Sequence, residues 1–198
     1  MSMRELLGVS PDVRKLVKDM VTTKKVPTEE ATDTTKPVQV ALMSKTKRAS
    51  LPDPPAGMIV AKEVESLRTI EVNIAGKIKI DALVDDGSQI IGIHRDIWRK
   101  LGIPARSDHT LTMEAANSSK SSTAGLLPHL EVWIGSHVFY LQVQVVDDAS
   151  YDMLLGRPFH ALTRLNCQHH SDGGADIILR DPNTGAVIRC PTKERVDR

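Results

Sequence analysis

Aromatic residues are scarce in this sequence: two each of Phe, Trp and Tyr, 3% of 198 residues. None lies before Trp98, and residues 1–68 also hold six of the 11 prolines but only two of the 12 glycines, Gly8 and Gly57. A stretch so poor in large side chains and so rich in proline has little to bury and is expected to be a leader, not a second lobe. Cysteine is nearly absent too. Cys167 and Cys190 are too few for a disulfide framework, which points to a reducing, intracellular, cytoplasmic setting. Apolar runs stop at about five residues, against the ~20 of a membrane-spanning helix. No apolar stretch follows the opening Met1-Ser2-Met3-Arg4-Glu5, as a signal peptide would require. Nor is there a charge excess. Lys and Arg number 26 against 25 Asp and Glu, a net charge of +1, which argues against a dedicated nucleic-acid binder.

What is present changes character along the chain. Ser10 to Val21 has a cap, Pro11 at the first helical position and apolar residues on one face, so it predicts a short helix. Residues 22–57 lack periodicity and predict a disordered linker. From Ser66 onward period-two alternation takes over, at Thr69–Ile74 and Lys77–Ala82 around an Ala75-Gly76 turn. Further strands are expected at Ile90–Ile93, Thr110–Met113, Leu130–Ile134, Val138–Val146 and Asp152–Leu155, with a last hairpin of Asp176–Arg180 and Ala186–Arg189. Short helices are expected at Asp96–Leu101, closed by Gly102, and at Phe159–Leu165. The fold class is therefore all-β, a barrel-like or sandwich domain with one or two short helices. The expected divisions are a leader over residues 1–65, a domain over 66–192 and a tail over 193–198.

Two segments carry chemistry. Ala82-Leu83-Val84-Asp85-Asp86-Gly87-Ser88 is an apolar strand running into an acidic turn, where a carboxylate is costly unless it is used. Met153-Leu154-Leu155-Gly156-Arg157-Pro158-Phe159 is a second apolar strand ending in glycine, with Gly156 lying 71 positions after Asp85. Together they resemble the retropepsins, the aspartic proteases of retroviruses and long-terminal-repeat retrotransposons. The Leu-Leu-Gly-Arg-Pro-Phe phrase is most similar to Ty3/gypsy-type elements. The resemblance implies an aspartic endopeptidase of the retrotransposon Gag-Pol polyprotein type, with Asp85 as the catalytic aspartate. Asp86, Gly87 and Ser88 would complete its loop, and Leu154, Leu155, Gly156 and Arg157 would form the second loop beside it. Met113, Ala116, Asn117 and Ser118 would belong to a flap over the substrate. Two carboxylates sharing a proton are needed. One such motif in about 127 residues then implies a homodimer acting on peptide or polyprotein substrates, with no metal and no cofactor.

The sequence departs from the family pattern at two places. Asp86 replaces a Thr or Ser, adding a charge that is expected to be protonated, to find a cation such as Arg157, or to weaken the dimer. Gln89 replaces an acid that often pairs with that arginine. The alternative reading is thus a catalytically weak or inactive module of the same fold, kept for dimerisation or peptide binding. Other candidates read plainly. Cys167-Gln168-His169-His170 lacks a second ligand cluster and is expected to be an exposed loop. Ser88 has no partner histidine at a recognisable spacing, the lysine clusters of the leader suit a solvated linker, and Trp98 and Trp133 suit the core.

Overall fold

The alternating stretch after Arg68 folds as a hairpin of β1 (Arg68–Ile74) and β2 (Ile78–Val84), in which Ile70, Val72, Ile74, Ile80 and Ala82 are buried. The structure, a computed structural model, describes residues 52–114 and 118–196. The expected helix at 10–21 and most of the leader lie outside the described residues. Ala75 and Gly76 both take positive φ, 51° and 67°, so the hairpin closes on a primed turn whose twist matches the strands.

The remaining elements follow as β3 (Gly92–His94), α1 (Arg95–Leu101), β4 (Thr112–Glu114), β5 (Lys120–Ser122), β6 (Gly125–Ile134), β7 (His137–Val146), β8 (Met153–Leu155), α2 (Arg157–Thr163), β9 (Asn166–His169), β10 (Ala175–Arg180), β11 (Val187–Pro191) and β12 (Lys193–Glu194). The main sheet runs β12-β1-β2-β8-β3-β7-β6, and β6 pairs back with β1 through Asn73–Trp133 and Ile74–Val132. Six strands therefore close into a barrel, which leaves few open edges. A separate sheet of order β11-β10-β9 and the two-stranded β4–β5 hairpin complete the described residues.

Side chains from β1, β2, β6, β7 and β8 fill the barrel. Phe139 and Phe159 are fully buried and meet edge to face at 5.9 Å, so α2 is pinned to the barrel by an aromatic pair. Gly102 caps α1 in the left-handed conformation, as expected. Four expectations need correction. The strand expected from Ile90 starts at Gly92, because Ile90 and Ile91 belong to the turn that packs on Gly156. The second helix starts at Arg157, not Phe159, with Pro158 in its first turn, and ends at Thr163 because Arg164 turns left-handed at φ 48°. The strand expected from Leu130 begins five residues earlier and tolerates Pro128 through an irregularity between Leu127 and Leu130, where His129 has φ 53°. The Cys167–His169 stretch is a strand, not a loop: it pairs through its backbone with Ala175–Ile177.

Candidate active site

β2 and β8 run parallel, with Ala82 opposite Met153, Leu83 opposite Leu154 and Val84 opposite Leu155. Along this pairing Ala82, Leu83, Met153, Leu154 and Leu155 are buried, as the paired residues of parallel strands commonly are. The register makes the two apolar segments end together, so the residues after them, Asp85 and Gly156, become neighbours. The Asp85 N–H donates to the Leu155 carbonyl at 3.2 Å. The Arg157 N–H donates to the Ser88 carbonyl at 2.8 Å. Two loops far apart in sequence are thereby cross-linked through their backbones.

Gly156 is required by space and not by its dihedral angles. Its φ of −87° suits any residue, but an added Cβ would lie 2.0 Å from the Ile90 carbonyl oxygen and 2.7 Å from that of Ser88. Gly87 faces a side chain instead: an added Cβ would lie 3.1 Å from Asp85 Oδ1. That carboxylate oxygen accepts from the Gly87 N–H at 2.9 Å, so the loop holds its own acid in place. Asp85 is half-buried, and Asp86 is exposed. The Ser88 hydroxyl is engaged locally, donating to the Ile90 carbonyl at 3.2 Å.

The charge at Asp86 has found partners. Arg157 Nη1 lies 3.4 Å from Asp86 Oδ1, and His160 Nδ1 lies 3.3 Å from the same oxygen. Arg157, without an acid at position 89, thus pairs with the residue that departs from the family pattern. His160 was not legible as a site residue, since nothing local marks it. Tyr151 was also missed. Burial, with the Asp85 charge adding to it, pushes the Tyr151 hydroxyl up to about 12, so the phenol beside the aspartate loop stays protonated. Gly92 makes room for it, because a Cβ there would lie 3.0 Å from the Tyr151 hydroxyl oxygen.

Of the remaining expected residues, Leu154 and Leu155 are buried in β8 and support the loop without exposing polar atoms. Met113 and Ser118 lie on a different element, the β4–β5 hairpin, where Met113 pairs with Ser121 and Ser118 takes φ 63°. Ala116 and Asn117 lie outside the described residues. The base of the hairpin is firmly tied. Thr123, 3% exposed, accepts from the Leu111 N–H at 2.8 Å and donates to the Gln144 side-chain oxygen at 2.8 Å. Among the described residues no group of three or more His, Cys, Asp or Glu side chains is placed to hold a metal ion.

Residues 70–159 match the aspartyl protease family. That span begins in β1 and ends in α2, so it contains both loops of the site. That match, together with the barrel, supports assigning the domain to the retropepsin-like aspartyl proteases. Among solved structures it is similar to the retroviral protease-like domain of Ddi1 from Leishmania major, with a TM-score of 0.51 and 14% sequence identity, covering 69% of this chain and 100% of that one. At that identity the likeness is one of fold. No curated protein sequence matches this chain.

Proposed function

We propose that this retropepsin-like domain is an aspartic endopeptidase of the retrotransposon Gag-Pol type, with a catalytic pair made of one Asp85 from each chain of a homodimer. The observation that carries the reading is the parallel β2–β8 register, which sets Asp85 at a strand end against Gly156. One such loop supplies one carboxylate, and the chemistry needs two. In the dimer the two Asp85 side chains share one proton, because like charges about 3 Å apart do not both ionise. The ionised member takes a proton from water as the water attacks the scissile carbonyl. The protonated member donates to the carbonyl oxygen. On collapse of the tetrahedral intermediate, the carboxyl that took the proton from water gives it to the departing nitrogen. The other takes back a hydroxyl proton, and the amine leaves with the pair restored. The pair titrates as a unit.

A peptide bound as an extended strand would satisfy its backbone hydrogen bonds between the barrel and the β4–β5 hairpin. That hairpin suits a flap: its described strand residues are exposed or half-exposed, while its base is anchored by Thr123 and Gln144. Asp85→Asn should lower cleavage of a peptide library by about a thousandfold or more while leaving dimer size and thermal unfolding unchanged. Cleavage that survives the substitution removes Asp85 from the mechanism. A wild-type dimer that binds peptides and cuts none supports the second reading, an inactive binding module, which the extra Asp86 carboxylate favours.

A further inference from the structure

Ser150, Tyr151 and Asp152 lead into β8, and Tyr151 is the residue that stands beside Asp85. The backbone is held on both sides of it. After Tyr151, the Asp152 carbonyl accepts from the His94 N–H at 2.9 Å, which ties this stretch to the cap of α1. Before it, the Ser150 carbonyl accepts from Arg195 Nη2 at 2.6 Å, a bond from a residue 45 positions further on.

Arg195 reaches that carbonyl from a backbone that is already fixed. β12 pairs with the start of β1, Arg68 opposite Glu194 and Thr69 opposite Lys193. The Arg195 N–H continues the ladder by donating to the Leu67 carbonyl at 2.9 Å. Arg68 Nε donates to the Thr192 hydroxyl at 2.8 Å, and Lys193 Nζ lies 3.3 Å from Asp81 Oδ1. None of these contacts uses the Arg195 guanidinium. Its second nitrogen, Nη1, is buried without a hydrogen-bond partner, as is the Ser150 hydroxyl. Both residues line a cavity of about 160 Å³ with Thr69, Leu83, Tyr151 and Asp152. Fixing a side chain as long as arginine costs rotamer freedom, and what it secures here is one carbonyl next to Tyr151.

We infer that Arg195 is a positioning residue: by holding the Ser150 carbonyl it sets the backbone that carries the Tyr151 ring against Asp85. Gly92 leaves the phenol its seat, and Arg195 keeps it there. A catalytic group works only where its neighbours are locked, within about 0.5 Å of the productive geometry. The placement of Tyr151 stands on these contacts alone, whereas its effect on cleavage rests on the protease reading. Removing the guanidinium should leave the fold intact, because β12 pairs with β1 through backbone. The cavity gives a free guanidinium ion room to take the place of the lost side chain.

The test uses the full chain labelled with 3-fluorotyrosine. Tyr140 and Tyr151 are its two tyrosines, so 19F NMR shows two signals, which Tyr140→Phe assigns. Tyr140 is 52% exposed and serves as the solvent reference. The change in shift between light and heavy water reports how far each ring meets solvent. In Arg195→Ala this change should grow about threefold for Tyr151 and stay as it was for Tyr140. The thermal midpoint should fall by no more than about 4 °C, the cost of one hydrogen bond. For peptide cleavage, kcat should fall about tenfold while KM moves by less than about twofold. Guanidinium at tens of millimolar should restore both the Tyr151 signal and the rate, where equal sodium chloride restores neither. A Tyr151 signal that is the same in both chains overturns the proposal, as does a change that guanidinium leaves in place. A larger fall in the midpoint overturns it too, because Arg195 would then brace the whole fold. The two readings fail separately. A Tyr151 signal that moves and recovers in a chain that cuts no peptide keeps the role of Arg195 and removes the protease. Cleavage through Asp85 with an unmoved Tyr151 signal does the reverse.

Discussion

Gly87 and Gly156 stand in the two loops that meet at the site, and they are glycines for different reasons. Gly156 lies where main chain passes main chain, and the atoms its Cβ would strike belong to the backbones of Ile90 and Ser88. Gly87 lies in an exposed turn, and the atom its Cβ would crowd belongs to the Asp85 carboxylate. The first glycine holds the architecture together, and the second leaves the acid room to be placed. A pair of motifs that look alike as sequence thus divides into a structural half and a chemical half.

Substitution should break the pair apart. Gly156→Ala is expected to have the larger effect on folding, about 3 kcal/mol or more, since backbone cannot yield as a flexible side chain does. Chemical denaturation would show it as a lowered midpoint, and an alanine variant of unchanged stability would mean that the loops do not pass so closely. Gly87→Ala should cost under about 1 kcal/mol of stability yet slow cleavage roughly ten- to hundredfold, by moving Asp85 Oδ1 from its seat. Equal losses of stability in the two variants would erase the distinction.

The smallest expected effect lies away from both loops. Asp181 is 3% exposed and holds the β10–β11 turn to His137 of β7. Hydrogen bonds from Thr184, from the Asn183 N–H and from His137 hold its carboxyl down to about 2. A carboxyl depressed below its ordinary value of 3.8 stabilises the fold above that value and loses the contribution as pH falls toward about 2. Thermal unfolding between pH 5 and pH 2 should therefore fall less steeply for Asp181→Asn than for the wild type, while cleavage chemistry at Asp85 is untouched. Matching slopes would show that Asp181 does not carry this acid sensitivity.

The barrel was legible where side chains alternate. Thr69–Ile74 and Lys77–Ala82 announce a hairpin because one face of each must be buried. The strand at Asn166–His169 was not, because all four residues are exposed and its place is set by backbone pairing with β10 alone. Lys120–Ser122 and Lys193–Glu194 were silent for the same reason: polar side chains carry no periodicity that burial would impose. In the site, Asp85 and Gly156 were legible through their motifs. The partner of Asp86 was half legible, as the arginine freed by Gln89. His160 and Tyr151 were not, because their roles depend on the parallel register of β2 and β8, which brings α2 and the start of β8 against the aspartate loop.

The central claim is that each catalytic centre needs one Asp85 from each of two chains. It is tested most directly by mixing wild-type chain with Asp85→Asn at constant total concentration, allowing the subunits to exchange, and measuring peptide cleavage. If two Asp85 residues make one centre, activity follows the square of the wild-type fraction, falling to about one quarter in an equal mixture. A fall in direct proportion to the wild-type fraction, to about one half, would mean that a single chain carries a complete site and would contradict the account.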